Sequence, residues 1–322
     1  VFRLGAEILI QHGSFIQFPA VVEGAKLSLE RKGTPGKLTF TVVKDAALNF
    51  QEGDPVKLTV GGTPMFYGFV FAKSRDKDGT IDVTAYDQLR YLKNKDTIIE
   101  EGLKASDLLK RIATDFRLKL GVVEDTGFTI EVVDEQNQTL FDMIQNALDE
   151  TLLNTGNLYV LYDDVGCLTL KNVNSMKTDF LIDMEAAENF SYSSSIDDST
   201  YNKIKLVFNN EKTGKRARYT AQDGEKINQW GVLQYFEEIQ TETGAAAKAE
   251  ALLARYDCKS RKLTVKNVFG RSDIRAGSAV MVSLNLGDII AHQFLMAEKV
   301  IHTFKGEEHF MDLTLVGGEF IV

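Results

Sequence analysis

Proline is scarce in this chain, with 4 among 322 residues, and no low-complexity tract is present, so a disordered tail is not expected. Cysteine is scarcer still: Cys167 and Cys258 lie in different segments without C-x-x-C spacing, so neither is expected to staple the fold. Both are read as reduced thiols of a cytosolic product. Long hydrophobic runs are missing. The densest apolar stretch, residues 65–72, is strand-sized and far short of the roughly 20 residues that span a bilayer. The first residues set Arg3 and Glu7 among apolar ones and lack the apolar core of a signal peptide, so the chain is expected to be made in a cytoplasm and not to enter a membrane by itself. Positive charge is also short. With 37 Lys and Arg against 46 Asp and Glu the net charge is −9, which disfavours general binding to nucleic acid or anionic membrane.

Motifs that carry chemistry are absent too: no G-x-S-x-G elbow, P-loop, G-x-G-x-x-G or H-E-x-x-H occurs. His302 and His309 flank the hairpin at residues 303–308 and could face each other, with Glu307 or Glu308 completing a crude metal site. Metal sites need three or four ligands in fixed geometry, so a structural role is the preferred reading. Asp76 with Asp78, Asp163 with Asp164, and Asp197 with Asp198 are turn carboxylates, since sequence neighbours cannot straddle a cleft as glycosidase acids do. The basic hairpin at residues 211–218, with Lys212, Lys215, Arg216 and Arg218, could contact nucleic acid, but a solvated hairpin fits the acidic whole better. No catalytic, cofactor-binding or metal-binding residue, and no cofactor, is therefore expected.

What the chain does have is strand periodicity. Hydrophobic residues make up 44% and charged ones 26%, enough for a sizeable core, and the length suggests two domains or three small ones. Up to about Leu92 the period is two, as where Leu38, Phe40 and Val42 alternate with Thr39 and Thr41; turns fall at residues 33–36, Gly61-Gly62 and Asp78-Gly79. Phe66, Tyr67, Phe69 and Phe71 put apolar groups on both strand faces, implying burial within the fold or against another subunit. The middle carries two amphipathic helices. One runs from Lys104 to Phe116; the other runs from Thr139 to Asn154, with Thr139 and Asp142 as its N-cap pair and Thr155-Gly156 as its stop. Alternation returns after Phe190 and is interrupted by an Ala-rich helix near residues 244–257.

The two ends repeat one pattern. Lys37-Leu38-Thr39 recurs as Lys262-Leu263-Thr264, displaced by 225 positions. The Gly53 turn before a strand recurs at Gly277, displaced by 224, and Ile81-Asp82-Val83-Thr84 recurs as Met311-Asp312-Leu313-Thr314, displaced by 230. The expected fold is β-rich α+β: a first small β-barrel domain at residues 1–94, a compact α/β domain at 95–180, and a second, similar barrel at 181–322 with the inserted helix. The segment 284–292 is expected to be a longer connection than its counterpart in the first barrel.

Several stretches in order resemble a known family. They include Phe50-Gln-Glu-Gly-Asp-Pro-Val56, Phe66-Tyr-Gly-Phe-Val70, Thr84-Ala-Tyr-Asp-Gln-Leu-Arg-Tyr-Leu92, Asp198-Ser-Thr-Tyr-Asn-Lys-Ile204, Trp230-Gly-Val-Leu-Gln-Tyr235 and His302-Thr-Phe-Lys-Gly-Glu-Glu-His309. In that order the chain is similar to the XkdQ-like hub proteins of phage tails and tail-like particles, relatives of the late-control D hubs. The resemblance implies a non-enzymatic homotrimer whose paired barrels form a pseudo-sixfold ring between the tail tube and the spike. It also implies tube, spike, wedge and tape-measure neighbours and a small LysM-bearing baseplate protein. Such a protein assembles in the bacterial host cytoplasm and ends in the baseplate of a virion or tail-like particle. The competing readings are a tail-associated cell-wall hydrolase and a carbohydrate-binding module, the latter weakened by the presence of Trp230 alone.

Overall fold

The computed structural model describes residues 5–75, 77, 79–184, 189–197, 199–210, 214–239, 241–287 and 289–317. The first part is all strand: β1 (Ala6–His12), β2 (Phe15–Gln17), β3 (Ala25–Glu30), β4 (Lys37–Val43), β5 (Pro55–Val60), β6 (Thr63–Arg75) and β7 (Thr80–Tyr86). Alternation does what a half-buried strand requires. In β4, Leu38, Phe40 and Val42 are buried while Lys37, Thr39 and Thr41 are partly exposed. They join Leu27, Val56, Leu58 and Ile81 in one core.

The middle part comprises β8 (Lys95–Lys104), α1 (Ala105–Asp115), β9 (Leu120–Val123), β10 (Thr129–Thr139), α2 (Leu140–Thr155), β11 (Tyr159–Asp163) and β12 (Leu168–Asn172). β8 and β10 form a two-stranded antiparallel ribbon, and β11, β12 and β9 form a small sheet. Leu108, Leu109 and Ile112 of α1 pack with Leu140, Met143 and Ile144 of α2, which is the stripe the 3.6-residue period calls for. The Thr139 hydroxyl accepts the Asp142 amide at 3.1 Å, and Gly156 ends α2 at φ +72°, a left-handed cap that glycine adopts without a Cβ penalty.

The last part contains β13 (Lys177–Ile182), β14 (Asn189–Ser195), β15 (Lys203–Asn210), β16 (Lys215–Gln222), α3 (Gly224–Trp230), β17 (Gln234–Ile239) and α4 (Ala245–Tyr256), followed by β18 (Ser260–Phe269), β19 (Ala279–Asn285), β20 (Ile290–Lys305) and β21 (Glu308–Val316). The Ala-rich helix, α4, is only the end of a larger insertion. β16, β15 and β17 make a separate sheet whose core of Ile204, Leu206 and Ile239 closes on Ala245, Ala249 and Leu252 of α4. The whole insertion sits between β14 and β18.

One strand order occurs twice. The first part pairs β3-β4-β7-β6-β5 and the last pairs β14-β18-β21-β20-β19, with every neighbour antiparallel. The registers agree at shared anchors, although β18–β21 and β5–β6 each carry a slip that the other repeat lacks. Leu38 lies opposite Ala85 as Leu263 lies opposite Leu315, and the ladder slips between Val70 and Ala72 as it does between Ala297 and Lys299. The turn before the outer strand is also shared. The Gly53 amide donates to the Val70 carbonyl and the Gly277 amide to that of Ala297, both at 2.7 Å, with φ near +92° and +93°. Asp54 accepts the Gln51 amide at 2.8 Å where Ser278 accepts that of Arg275 at 3.0 Å.

The pairings refine two expectations. Among the described residues no closed barrel ladder forms; the strands follow a path from β14 to β2 in which β3 pairs with β20, with β19 and then β13 branching from β20. The segment 284–292 is also not all connection, because Leu284 pairs with Ala291 and Asn285 with Ile290, so the extra residues lengthen the hairpin arms. Alternating residues with one more pair per arm extend the sheet at no cost in register.

A Cβ on Gly68 would meet the Tyr86 carbonyl oxygen at 2.2 Å, where backbone cannot yield cheaply. Gly68→Ala is expected to cost about 1–3 kcal/mol in urea denaturation. Gly224→Ala, where nothing lies within 4 Å, is expected to cost nothing measurable.

Candidate assembly interface at the sheet junction

The junction of the two repeats is a backbone ladder. β3 runs antiparallel to the second half of β20, with Lys299, Val300, Ile301, His302, Thr303 and Phe304 opposite Glu30, Leu29, Ser28, Leu27, Lys26 and Ala25. An edge strand exposes a row of unpaired amides and carbonyls; here the other repeat supplies the missing partners. The contact continues past the strand end, where the Arg31 amide donates to the Glu298 carbonyl at 3.0 Å. The Arg31 guanidinium, its side chain 4% exposed, bonds the Glu298 carboxylate at 2.6 Å, and Lys299 pairs with Glu30 beside it. A buried guanidinium left unpaired would be strongly destabilising, so this pair fixes register as well as contact.

The two histidines of the predicted hairpin do meet, at the same junction. His302 on β20 is fully buried and His309 on β21 partly so, with His302 Nδ1 and His309 Nε2 2.9 Å apart. The Phe304 ring packs against His309 at 4.6 Å between centroids, tilted by 31°, and Gly270 lies so close to the His309 ring that a Cβ there would approach within 2.1 Å. His302 Nε2 is buried and has no hydrogen-bond partner among the described residues. Burial, then the neighbouring His309, depresses the His302 pKa to about 3; burial depresses that of His309 to about 4. Both rings are neutral at pH 7. No cluster of three or more potential metal ligands forms among the described residues, so the pair stands without Glu307 or Glu308 as co-ligands.

A second junction brings all three parts together. The tip between β11 and β12 places Gly166, at φ +92°, against the Tyr67 ring, where a Cβ would lie 2.7 Å away. Arg275 from the second repeat stacks over Tyr162 at 4.4 Å, donates to the Asp163 carbonyl at 3.3 Å and pairs with Asp164 at 3.4 Å. Asp87, at the end of the first repeat, is buried and accepts the amides of Gly36 and Leu89 at 2.9 and 3.1 Å. Burial and the nearby Asp163 push the Asp87 pKa well up, and burial raises Asp163 to about 6. Perturbed carboxylates often mark active sites. The neighbouring cavity of about 300 Å³, however, is lined by Tyr67, Phe69, Tyr91, Phe116 and Arg117 and does not include these carboxyls.

The remaining sequence candidates are scattered. Asp76, Asp78, Asp198 and Lys212 lie outside the described residues. Lys215, Arg216 and Arg218 sit exposed on β16, one strand removed from β17 with its Glu237 and Glu238. Trp230 meets Lys226, whose ammonium lies 5.8 Å from its ring. Phe66 is buried, and Tyr67, Phe69 and Phe71 are half-buried, so this aromatic strand turns one face to its own core. Its other face meets the middle part, Gly166 included, and Phe71 packs on Tyr86 at 5.5 Å. Burial within the fold therefore accounts for Phe66, while Tyr67, Phe69 and Phe71 each keep part of their surface exposed. Sequence reading missed Asp87, Arg275, Arg31 and Glu298; a repeat alignment that placed Arg275 at the Gln51 position would have found one of them.

Solved structures share this architecture. The 43 kDa tail protein of prophage MuSo2 from Shewanella oneidensis matches 99% of this chain and 100% of its own, at TM-score 0.73 and 13% identity. The Escherichia coli c3393 protein, a type VI secretion component described as structurally similar to the T4 tail proteins gp27 and gp5, matches 98% of this chain and 78% of its own, at TM-score 0.58 and 10% identity. The fold is that of phage tail proteins. In sequence, the phage-like element PBSX protein XkdQ of Bacillus subtilis is 30% identical over 308 residues, 92% of each chain. The model of the YQBQ-like family matches residues 25–316, and the chain belongs to that family.

Unfolded imidazole titrates near 6.5, so below that pH the unfolded chain binds protons the folded pair refuses, and stability falls as pH drops toward the folded values. Protonation of Asp87 and Asp163 acts in the opposite sense, so slopes rather than absolute stabilities are informative. Between pH 6.5 and 5, His302→Asn is expected to show a stability loss smaller than wild type by about 1 kcal/mol per pH unit in urea melts. Equal slopes would contradict the buried neutral imidazole. Arg31→Met is expected to cost about 1–3 kcal/mol, less than a fully buried pair because Glu298 keeps 31% exposure.

Proposed function

We propose that this chain is a structural hub subunit of a phage or tail-like particle and works by assembly rather than catalysis. Three copies close a ring, each contributing two similar barrel-like halves, so that six related units face a sixfold tube and three chains face a threefold spike. The observation that carries this reading is the repeated strand order joined edge to edge through β3 and β20. One chain already contains a contact between neighbouring units; contacts that close by rotation build rings. The likeness of c3393 to gp27 and gp5, and the family relation to XkdQ, support a tail setting.

In this reading residues 1–94 and 181–322 are the ring units and residues 95–180, together with the insertion of β15 to α4, form the outer face. The neighbours are the tail tube, spike, wedge, tape-measure and LysM-bearing proteins, and the site of action is the baseplate, reached after assembly in the host cytoplasm. Light scattering on the purified chain at rising concentration is expected to converge on the mass of three chains. A monomer throughout would contradict the ring, and lysis of peptidoglycan in a zymogram would contradict the absence of catalysis.

A further inference from the structure

The geometry points to a specific copy-to-copy seam: the outer edge of β14 docks on the free edge of residues 71–75 of β6 in a second copy, in the register that β3 and β20 use within the chain. This rests on the ring reading above and names the contact that closes it. The repeats make β3 equivalent to β14 and β20 to β6. Within the chain, β20 carries β21 along one edge; its other edge carries β19 up to Met296 and then β3 from Lys299 onward. β6 is built the same way, with β7 along one edge and β5 along the other up to Phe69. Among the described residues no strand continues beyond β5 on that edge, and none pairs with β14 opposite β18. The equivalents of a filled junction are thus two edges that no strand among the described residues pairs with, and they lie on the two different repeats, as a closing ring requires.

The register follows from shared anchors. The Gly53 and Gly277 turns make Val70 equivalent to Ala297, and the common slip makes Ala72, Lys73 and Ser74 equivalent to Lys299, Val300 and Ile301. Thr39 and Thr264 hold the same place opposite Thr84 and Thr314; Lys26 pairs with the first and Ser191 with the second. Ser193, Ser194 and Ser195 therefore stand where Ser28, Leu29 and Glu30 do. In the seam Ala72 faces Ser195, Lys73 faces Ser194 and Ser74 faces Ser193.

The character of the two edges agrees. Solitary proteins guard exposed edges with charge or proline, and β14 (Asn-Phe-Ser-Tyr-Ser-Ser-Ser) has neither. The one ammonium at the centre of the β6 edge is held by its own chain, since Lys73 donates to the Phe50 carbonyl at 2.7 Å and lies 3.6 Å from Glu52. The ion pairs of the internal junction have no equivalents here: Lys299 and Glu30 become Ala72 and Ser195, and Glu298 and Arg31 become Phe71 and Ile196. The seam between copies is the weaker one, where the ring opens.

Cysteine pairs test the register, because directly opposed residues of antiparallel strands hold their Cβ atoms about 4.5–5.5 Å apart. Ala72→Cys with Ser195→Cys, Lys73→Cys with Ser194→Cys, and Ser74→Cys with Ser193→Cys are oxidised and run on non-reducing gels. Wild type and each single variant set the background, and Ser28→Cys with Ile301→Cys reports the internal junction. At least one in-register pair is expected to shift the band from one chain to two and three. Lys73→Cys with Ser191→Cys, three residues out of register, is expected to stay at one. A three-chain mass in light scattering with no in-register link overturns this seam and spares the ring. A one-chain mass with only the internal control linked overturns both.

Discussion

A ladder of six residue pairs between β3 and β20 is the constraint on which the molecule depends. Each repeat alone would be a small sheet with an open edge, and open edges invite uncontrolled pairing. Joining them makes one 13-stranded sheet that contains the same strand order twice. The charged and aromatic groups gather along that line. Arg31 with Glu298 and Lys299 with Glu30 clamp one end, and the neutral His302–His309 pair with Phe304 fills the other. Backbone bonds give the ladder its direction, and these side chains choose its register, since a one-residue slip would expose Leu27 and His302 together.

Repetition in this chain is conserved at the level of geometry more than of residues. The turn preceding the outer strand keeps its glycine at φ above +90° in both copies, while the acceptor that closes it is a carboxylate in one and a hydroxyl in the other. Asp54 also takes His12, 2.8 Å away, whereas Arg275, whose backbone amide Ser278 accepts, sends its guanidinium to the middle part. The repeats diverge where their surroundings do. An insertion of three strands and two helices separates β14 from β18, whereas a short turn separates β3 from β4.

Much of this was legible in the residues. The Leu38 and Leu263 anchors, the Gly53 and Gly277 turns, and the displacements near 225 correspond to shared pairings in the structure. The caps of α2 were legible because Thr139 and Gly156 act through local bonds. What was not legible depends on distant partners. β15 and β17 pair in parallel across α3, and no local signal joins them. Ladder closure, the β3–β20 pairing and the Asp87, Asp163 and Arg275 contacts arise between segments far apart in the chain, where periodicity carries no information. His302 and His309 are the intermediate case: the hairpin brought them into view, but their burial follows from β3 lying alongside.

Amide hydrogen exchange across the junction tests the central claim most directly. If β3 and β20 belong to one cooperative sheet, the amides of residues 25–30 and 299–304 exchange only with global unfolding and share one free energy of opening. Exchange of residues 25–30 through a separate, low-energy opening, with 299–304 still protected, would contradict the account.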